Sequence, residues 1–521
     1  MVRKGYSILL LYPGPRSVAY SSLAFYMIKS LFSSLGIGVK TAFIEDGYVD
    51  VDGPLDPRET RAIMVSLPYE VMYADLVKAL ESIGIPVWRM GRGEEHPIVI
   101  GGGPAVTANP LPVIDILDAV LVGELEPVAE QIASSLASSS RRERLRNLST
   151  IPGVLVPAME NWPVTRVYVE RLDEAWYPLD QRPPNGVEPV WGRGFILETS
   201  RGCGRGCRFC MEGSIFRPRR DRSLPTLEKL MIEGVRRSRV RRVIFYSLVF
   251  FDNRASDAIL ERAVEEGLEA SVPSLRAETL TEERARLIAR AGQKTVTIAP
   301  ETGSCVISKA ILKPIGEEIT LWAARNALSG GVKGVKLYLM VGFPGEDEEE
   351  FQQTVDTAVK VVRLVRRLGG IAKASVNPFM PKPVTGMQWA GLGDRSLLRK
   401  RIAILTRELA KSGARVSGYD VRWAEVQVAL ARGSRDMSRV IVDWARSPSQ
   451  TPSSFRRAAK RSGVNLSWLL SEWPPDYTPP WHEYVEHPRA ELWRLRRDWD
   501  IYVKVVSSKG GESRLRIPGC S

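Results

Sequence analysis

Three of the chain's five cysteines fall within eight positions, in the run TSRGCGRGCRFCMEG, so that Cys203, Cys207 and Cys210 have the spacing C-x3-C-x2-C. Thiolates crowded on a glycine-rich loop suit an iron–sulfur cluster, which a protein normally holds through four of them. Three thiolates grip three irons of a [4Fe–4S] cubane and leave the fourth iron without a protein ligand. That open corner can accept the amino and carboxylate groups of S-adenosyl-L-methionine (SAM). An electron from the reduced cluster then cleaves the sulfonium to methionine and a 5′-deoxyadenosyl radical. Gly202, Gly204 and Gly206 allow tight turns in the loop, and Phe209, directly before the last cysteine, is expected to shield the cluster from water. The competing reading is zinc, which wants four ligands. Cys305 or a distant histidine would have to supply the fourth. No paired C-x2-C or H-x3-H element exists, and His96, His482 and His487 lie far away in sequence. Cys305 and Cys520 stand alone and read as buried or incidental thiols.

The surrounding elements must position these residues. Strand-like runs at 194–200, 242–248, 269–275, 294–300, 334–342 and 373–379 alternate with stretches of helical periodicity, as at 227–237, 282–291 and 350–368. Six βα units in about 200 residues predict a partial barrel, since eight units typically take about 250. Functional residues of such barrels sit just after the strands, and the cysteine run directly follows the first of them.

A second alternating pattern precedes it, with strand-like runs at 7–12, 39–45, 62–67, 97–102 and 119–124. Short apolar strands ending in glycine-rich turns predict a doubly wound parallel sheet whose ligand crevice lies beyond the strands' carboxyl ends, at 13–17, 45–47, 101–104 and 123–126. The predicted fold class is therefore α/β. A Rossmann-like domain spans 1–135 and a linker 136–190, where SSLASSSRRERLR is polar and YPLDQRPPNGVEP proline-rich. A partial (β/α)6 barrel spans 191–392, and a mostly helical C-terminal region rich in Arg and Trp spans 393–521.

Hydrophobic residues at 44% and charged residues at 26% are ordinary for a globular protein, and no apolar run is long enough to span a bilayer. The opening MVRKGYSILLLYPG has too short an apolar core for a signal peptide and no small-residue cleavage site, so a cytoplasmic protein is expected. A net charge of +13 admits an anionic partner such as RNA. The basic residues are spread widely, however, and solvated helix faces are the preferred reading even for the clusters at 217–222 and 236–242.

The cysteine run resembles the signature of the radical SAM superfamily, and 194–390 is similar to that family's partial barrel. The resemblance implies SAM contacts at the strand ends. YSLVFFDN stands where relatives carry a Gly-Gly-Glu-like element that meets the methionyl amine; Tyr246, Ser247 and Leu248 would then give backbone contacts, without a glutamate. Ser274 and Arg276 in SVPSLRAETL are implied for ribose and carboxylate, and Glu301 in TIAPETG as a polar SAM contact. Leu339, Val341 and Gly342 in VKLYLMVGFPGED are implied beside adenine. Bland readings stand next to these: a helix N-terminal charge for Glu301, a surface ion pair for Arg276, and turn shaping for Gly342. The resemblance also implies an electron donor such as ferredoxin or flavodoxin.

IVIGGGPAVTANPLPVIDILDAVLVGELEP is similar to the cobalamin-binding-type domain often fused to such barrels. Domains of that kind that ligate cobalt from below use D-x-H-x-x-G, which is absent here. Either cobalamin binds without a histidine or the domain holds none, and the second is preferred. Over about residues 1–450 the chain resembles a cobalamin-domain-fused radical SAM family of unassigned activity.

Substrate-facing candidates are Arg217, Arg219 and Arg220 after the cluster loop, and Lys382 and Trp389 in VNPFMPKPVTGMQW. Lys336 and Tyr338 alternate on the fifth strand and are candidate relays of a hydrogen atom or proton. The expected function is hydrogen-atom abstraction from an unidentified substrate. The alternatives are cobalamin-dependent radical SAM methyl transfer and an RNA-associated protein with a structural cluster. Methylthio transfer is disfavoured, because it needs three further cysteines and only two remain.

Overall fold

The runs SILLL (β1, Ser7–Leu11), TRAIMVS (β4, Thr60–Ser66) and IVIGG (β5, Ile98–Gly102) are apolar almost throughout, as parallel strands covered on both faces must be. In the computed structural model, which describes residues 5–45, 47–53 and 59–509, they form the centre of a seven-stranded sheet. The other members are β2 (Gly38–Glu45), β3 (Tyr48–Val51), β6 (Ala119–Leu121) and β7 (Val154–Leu155). The order is β3-β2-β1-β4-β5-β6-β7; the five central strands are parallel, and β3 and β7 are antiparallel at the edges. The chain reverses direction across the sheet between β1 and β4, so the crevice expected of this topology opens beyond their carboxyl ends, at Tyr12 to Gly14 and Leu67 to Glu70. Gly103 closes the turn after β5 with φ 119°, where a Cβ would come within 2.7 Å of the Leu67 carbonyl oxygen.

The chain divides into two compact units, this sheet belonging to the first, drawn from 1–193, 426–469 and 476–491. The stretch read as a linker, 136–190, is folded within it. Ser140 caps the helix Arg141–Ser149 by accepting the Glu143 N–H at 3.1 Å. Arg141 is buried there and reaches Asp118 at 2.5 Å, which Arg92 also holds at 2.8 Å. Further along, β8 (Val164–Thr165) pairs with β18 (Val485–Glu486) from the far end of the chain. The region beyond 393, expected to be mostly helical, contributes to both units.

The second unit, drawn from 194–425, 470–475 and 492–521, holds the barrel. Strands β9 (Phe195–Glu198), β12 (Arg242–Tyr246) and β13 (Glu269–Ser271) pair in the order β13-β12-β9. Strands β14 (Thr295–Glu301), β15 (Gly334–Val341), β16 (Ile371–Pro378) and β17 (Arg415–Gly418) follow in sequence order. All these pairings are parallel, and a bridge between Leu275 and Ile298 joins the two sets. Six strands match the expected (β/α)6 count, and β17 adds a seventh.

Alternation along the strands sets two faces. Val335, Leu337, Leu339 and Val341 are buried on the face where the helices Glu317–Ser329 and Glu348–Arg367 pack; Lys336, Tyr338 and Met340 are half-buried on the inner face. On β16, Ala372, Ala374 and Val376 are buried, while Lys373, Ser375 and Asn377 point inward. The helix Glu348–Arg367 starts where Asp347 accepts the Glu350 N–H and Glu350 accepts the Asp347 N–H, both at 3.1 Å. Among the described residues, no helix is long and apolar enough to cross a membrane.

Candidate metal centre

A two-residue antiparallel ladder, β10 (Ser200–Arg201) with β11 (Arg220–Asp221), pinches the cysteine loop at its neck directly after β9. Gly202 follows with φ 81°, and a Cβ there would come within 2.3 Å of the Phe216 carbonyl oxygen; only glycine fits. Buried Glu198 anchors this neck between Arg201 at 2.9 Å and Arg222 at 3.3 Å. Burial alone would raise its carboxyl, but the two guanidiniums hold it below the ordinary value.

The three cysteines share the loop, and each sulfur accepts a hydrogen bond. The Arg205 N–H reaches Cys203 Sγ at 3.4 Å, the Gly213 N–H reaches Cys210 Sγ at 3.3 Å, and Arg276 Nη1 reaches Cys207 Sγ at 3.6 Å. Arginine side chains fix the loop from several directions. Arg205 pairs with Asp252 at 2.5 Å; Arg208 donates to the Ala310 carbonyl at 2.5 Å and to Asp498 at 3.3 Å; Arg217 donates to the Gly213 carbonyl at 3.0 Å. Phe209 packs edge-on against Phe343 at 6.4 Å between centroids, and Phe343 against Phe379 at 5.2 Å, which lines one side of the loop with rings.

Burial pushes the Cys207 thiol up, against the opposing charges of Lys313 and Arg276, and pushes Cys210 up to about 12. Metal ligation needs thiolates, so binding would release these protons. A zinc site would need four donors around one ion.

The expected SAM residues are placed as follows. Ser247, at the end of β12, is buried with its Oγ 2.6 Å from Ser200 Oγ, and accepts the Val249 N–H at 3.2 Å. Ser274 and Arg276 lie on the turn after β13, where Arg276 Nε also donates to Glu278 at 2.6 Å. Glu301 ends β14 beyond a bulge, with φ 70°, and accepts from Lys313 Nζ at 2.7 Å. Lys313 is buried, and sequence reasoning missed it; the one signal was a lone cation in the apolar run ILKPI. Leu339 and Val341 are sealed on the helix-covered face, and Met340 is the neighbour on the inner face. Gly342 has φ 82°, donates its N–H to Glu346 at 2.6 Å, and has no room for a Cβ against Leu398. The structure thus brings the cysteine loop, Arg276, Lys313 and Glu301 together and leaves Leu339 and Val341 in the wall.

Several substrate candidates turn out to hold the fold. Arg219 pairs with Asp221 at 2.7 Å, and Arg220 donates to the Pro218 and Phe216 carbonyls at 3.0 and 3.1 Å. Trp389 is fully buried, its carbonyl accepting the Trp473 N–H at 2.8 Å; Lys382 is half-buried. Cys305 begins the helix Cys305–Ala310, and Cys520 lies outside the described residues. In the first unit, His96 precedes β5 at its amino end, away from the crevice, and accepts the Gly93 N–H at 3.0 Å.

Comparison with known proteins bears on the fold and the class of enzyme. Residues 197–358 match the family described as the radical SAM superfamily, and 52–157 match the family of radical SAM proteins, N-terminal. The chain carries radical SAM domains and is a radical SAM enzyme, a family that implies a [4Fe–4S] cluster and SAM. It is 29% identical over 460 residues to the uncharacterised protein MJ0966 of Methanocaldococcus jannaschii, covering 88% of this chain and 95% of that one. Its fold is similar to that of TsrM from Kitasatospora setae, a radical SAM methyltransferase solved with cobalamin and a [4Fe–4S] cluster. There the TM-score is 0.50 at 13% identity, over 97% of this chain and 100% of the other. The cobalamin-dependent SAM radical enzyme OxsB was also matched, with TM-score 0.48 and 12% identity over 97% of this chain and 80% of that one.

Proposed function

We propose that Cys203, Cys207 and Cys210 ligate the cluster, that residues at the ends of β12 to β15 receive SAM, and that the enzyme takes a hydrogen atom from a substrate bound in the barrel. When bound, the cluster supplies the electron that cleaves SAM to methionine and a 5′-deoxyadenosyl radical. The observation that carries the reading is the meeting of Cys207 with Arg276 and Lys313, since it joins the cysteine loop to the ends of the third and fourth barrel strands. Arg276 donates to the Cys207 sulfur and steadies its thiolate with positive charge. Lys313 adds a second cation and holds Glu301, whose other carboxylate oxygen is left to orient SAM. Ser247 ties the end of β12 to the loop through Ser200, which keeps the backbone of 246–248 in place. Phe209, Phe343 and Phe379 keep water from the loop. An electron donor such as ferredoxin or flavodoxin fits this chemistry, as does a reducing compartment such as the cytoplasm. Arg217, Arg219, Arg220 and Arg222 are used within the fold and lend no support to an RNA-associated role. The test is anaerobic reconstitution with iron and sulfide, then SAM and dithionite, with 5′-deoxyadenosine measured by mass spectrometry. Product is expected; its absence from protein carrying a full cluster would overturn the reading.

A second reading is cobalamin-dependent methyl transfer, favoured by the fold likeness to TsrM and by the crevice beyond β1 and β4. Retention of hydroxocobalamin through gel filtration, with its absorption spectrum, would support it, and failure to bind would count against it.

A further inference from the structure

We propose that Lys336, Lys373 and Arg415, on the inner face of the barrel, form a subsite for an anionic group, a carboxylate or a phosphate, of the molecule acted on. The proposal rests on reading the barrel interior as the substrate chamber. In the register of the sheet, Thr297 stands opposite Lys336, Lys336 opposite Lys373, and Lys373 opposite Arg415, so one row across β14 to β17 carries three cations on adjacent strands. Neighbouring strands are about 4.8 Å apart, and like charges directly opposite one another destabilise a sheet. Among the described residues none of the three forms an ion pair; the one charge contact is Lys336 Nζ over the Tyr338 ring at 4.8 Å. Three carboxylates at the neck and strand ends are committed to other cations: Glu198 to Arg201 and Arg222, Glu278 to Arg276, Glu301 to Lys313. Lys336 and Lys373 are half-buried and Arg415 is exposed, so the row runs from the interior to the edge strand β17, where an anion can enter.

The next row reinforces the reading, since Tyr338 and Ser375 stand in register one layer up and add hydroxyl donors, while Ser417 beside them donates to the Ala374 carbonyl at 3.4 Å. Lys336 lies five residues before the end of β15 at Val341, about 16 Å of strand rise. An anion held there would belong to an elongated substrate whose reacting carbon reaches up toward the cysteine loop. Among the described residues no acid pairs with this row, and a bound anion would relieve its repulsion.

Thermal unfolding of the reconstituted full-length protein tests this, with inorganic phosphate and succinate each titrated at constant ionic strength against chloride. At ten times its half-saturating concentration, at least one of the two should raise Tm by roughly 3–6 °C, and whichever raises it more identifies the anion. The rise should vanish in Lys336→Met/Lys373→Met and persist in Lys373→Arg. Without anion, the single variant Lys373→Met should unfold no lower than the parent, because repulsion is relieved; it also reads the response if the double variant fails to fold. No rise above chloride with either anion, or an undiminished rise in the Met variants, would overturn the proposal. Iron per chain is measured on the same samples. Full iron without an anion response overturns the subsite alone, whereas an anion response in protein unable to hold iron supports the subsite and overturns the cluster reading.

Discussion

Arg276 Nη1 donates to Cys207 Sγ across 3.6 Å, while its Nε donates to Glu278 at 2.6 Å, so one guanidinium fixes the turn after β13 against the middle cysteine of the loop. Hydrogen bonds and positive charge at cluster sulfurs stabilise the more negative, reduced state and raise the potential. Arg276→Gln should therefore lower the cluster's midpoint potential, on the order of tens of mV, with iron content preserved. Redox titration followed by electron paramagnetic resonance checks it. An unchanged potential would mean that the guanidinium serves the turn only.

Gly202→Ala should disrupt the loop. The position combines φ 81° with a Cβ that would lie 2.3 Å from the Phe216 carbonyl oxygen and 2.7 Å from that of Pro218. A non-glycine residue strained in this way costs roughly 1–3 kcal/mol, and relief must come from shifting the neck between β10 and β11. Iron content after reconstitution should fall well below that of the parent, with a lower Tm.

Lys313 and Glu301 form a pair whose side chains are only 8% and 13% exposed. Removing one partner of a buried pair typically costs 3–5 kcal/mol, because the other charge is left uncompensated. Lys313→Met should be the more damaging change, and Lys313→Met/Glu301→Gln should recover part of the loss. A double-mutant cycle by denaturant unfolding measures the coupling.

His487 gives the first unit a defined acid sensitivity. Burial, then the charge of Arg166, depresses its imidazole to about 3, against an ordinary value of 6.5. The native state therefore favours neutral histidine. Its contribution is complete above pH 6.5 and is lost as pH falls from there toward 3, where the unfolded chain takes up the proton first. Each pH unit in that window removes up to about 1.4 kcal/mol. His487→Phe should flatten the decline of Tm between pH 6.5 and 4.5; an unaltered pH profile would show that other groups set it.

Much of this was legible beforehand for physical reasons. Strands covered on both faces must be apolar along their length, so 7–12, 62–67 and 97–102 stand out, and the six barrel strands show as short runs alternating with helical stretches. The cysteine spacing announces itself because few other chemistries crowd thiols on glycines. What was hidden depends on partners far apart in sequence. Arg141 looks like a solvated helix residue until Asp118 appears beside it, which is why 136–190 read as a linker. The two-residue strands β8 and β18 carry too few residues for a pattern, and they pair across the chain. Trp389 read as a substrate contact, yet its large apolar surface is sealed in the core. The alternation of Lys336 and Tyr338 was visible, but that Lys373 and Arg415 stand beside them follows from strand register, which no single segment encodes.

The central claim, a cubane held through three thiolates with one iron open to SAM, is tested most directly by counting metal and probing that iron. Anaerobically reconstituted protein should hold close to four irons and four sulfides per chain, with no zinc. The spectrum of its reduced cluster should change when SAM is added, and Cys207→Ala should lose both the cluster and that response. Stoichiometric zinc in place of iron, or a cluster in Cys207→Ala that still responds to SAM, would contradict it.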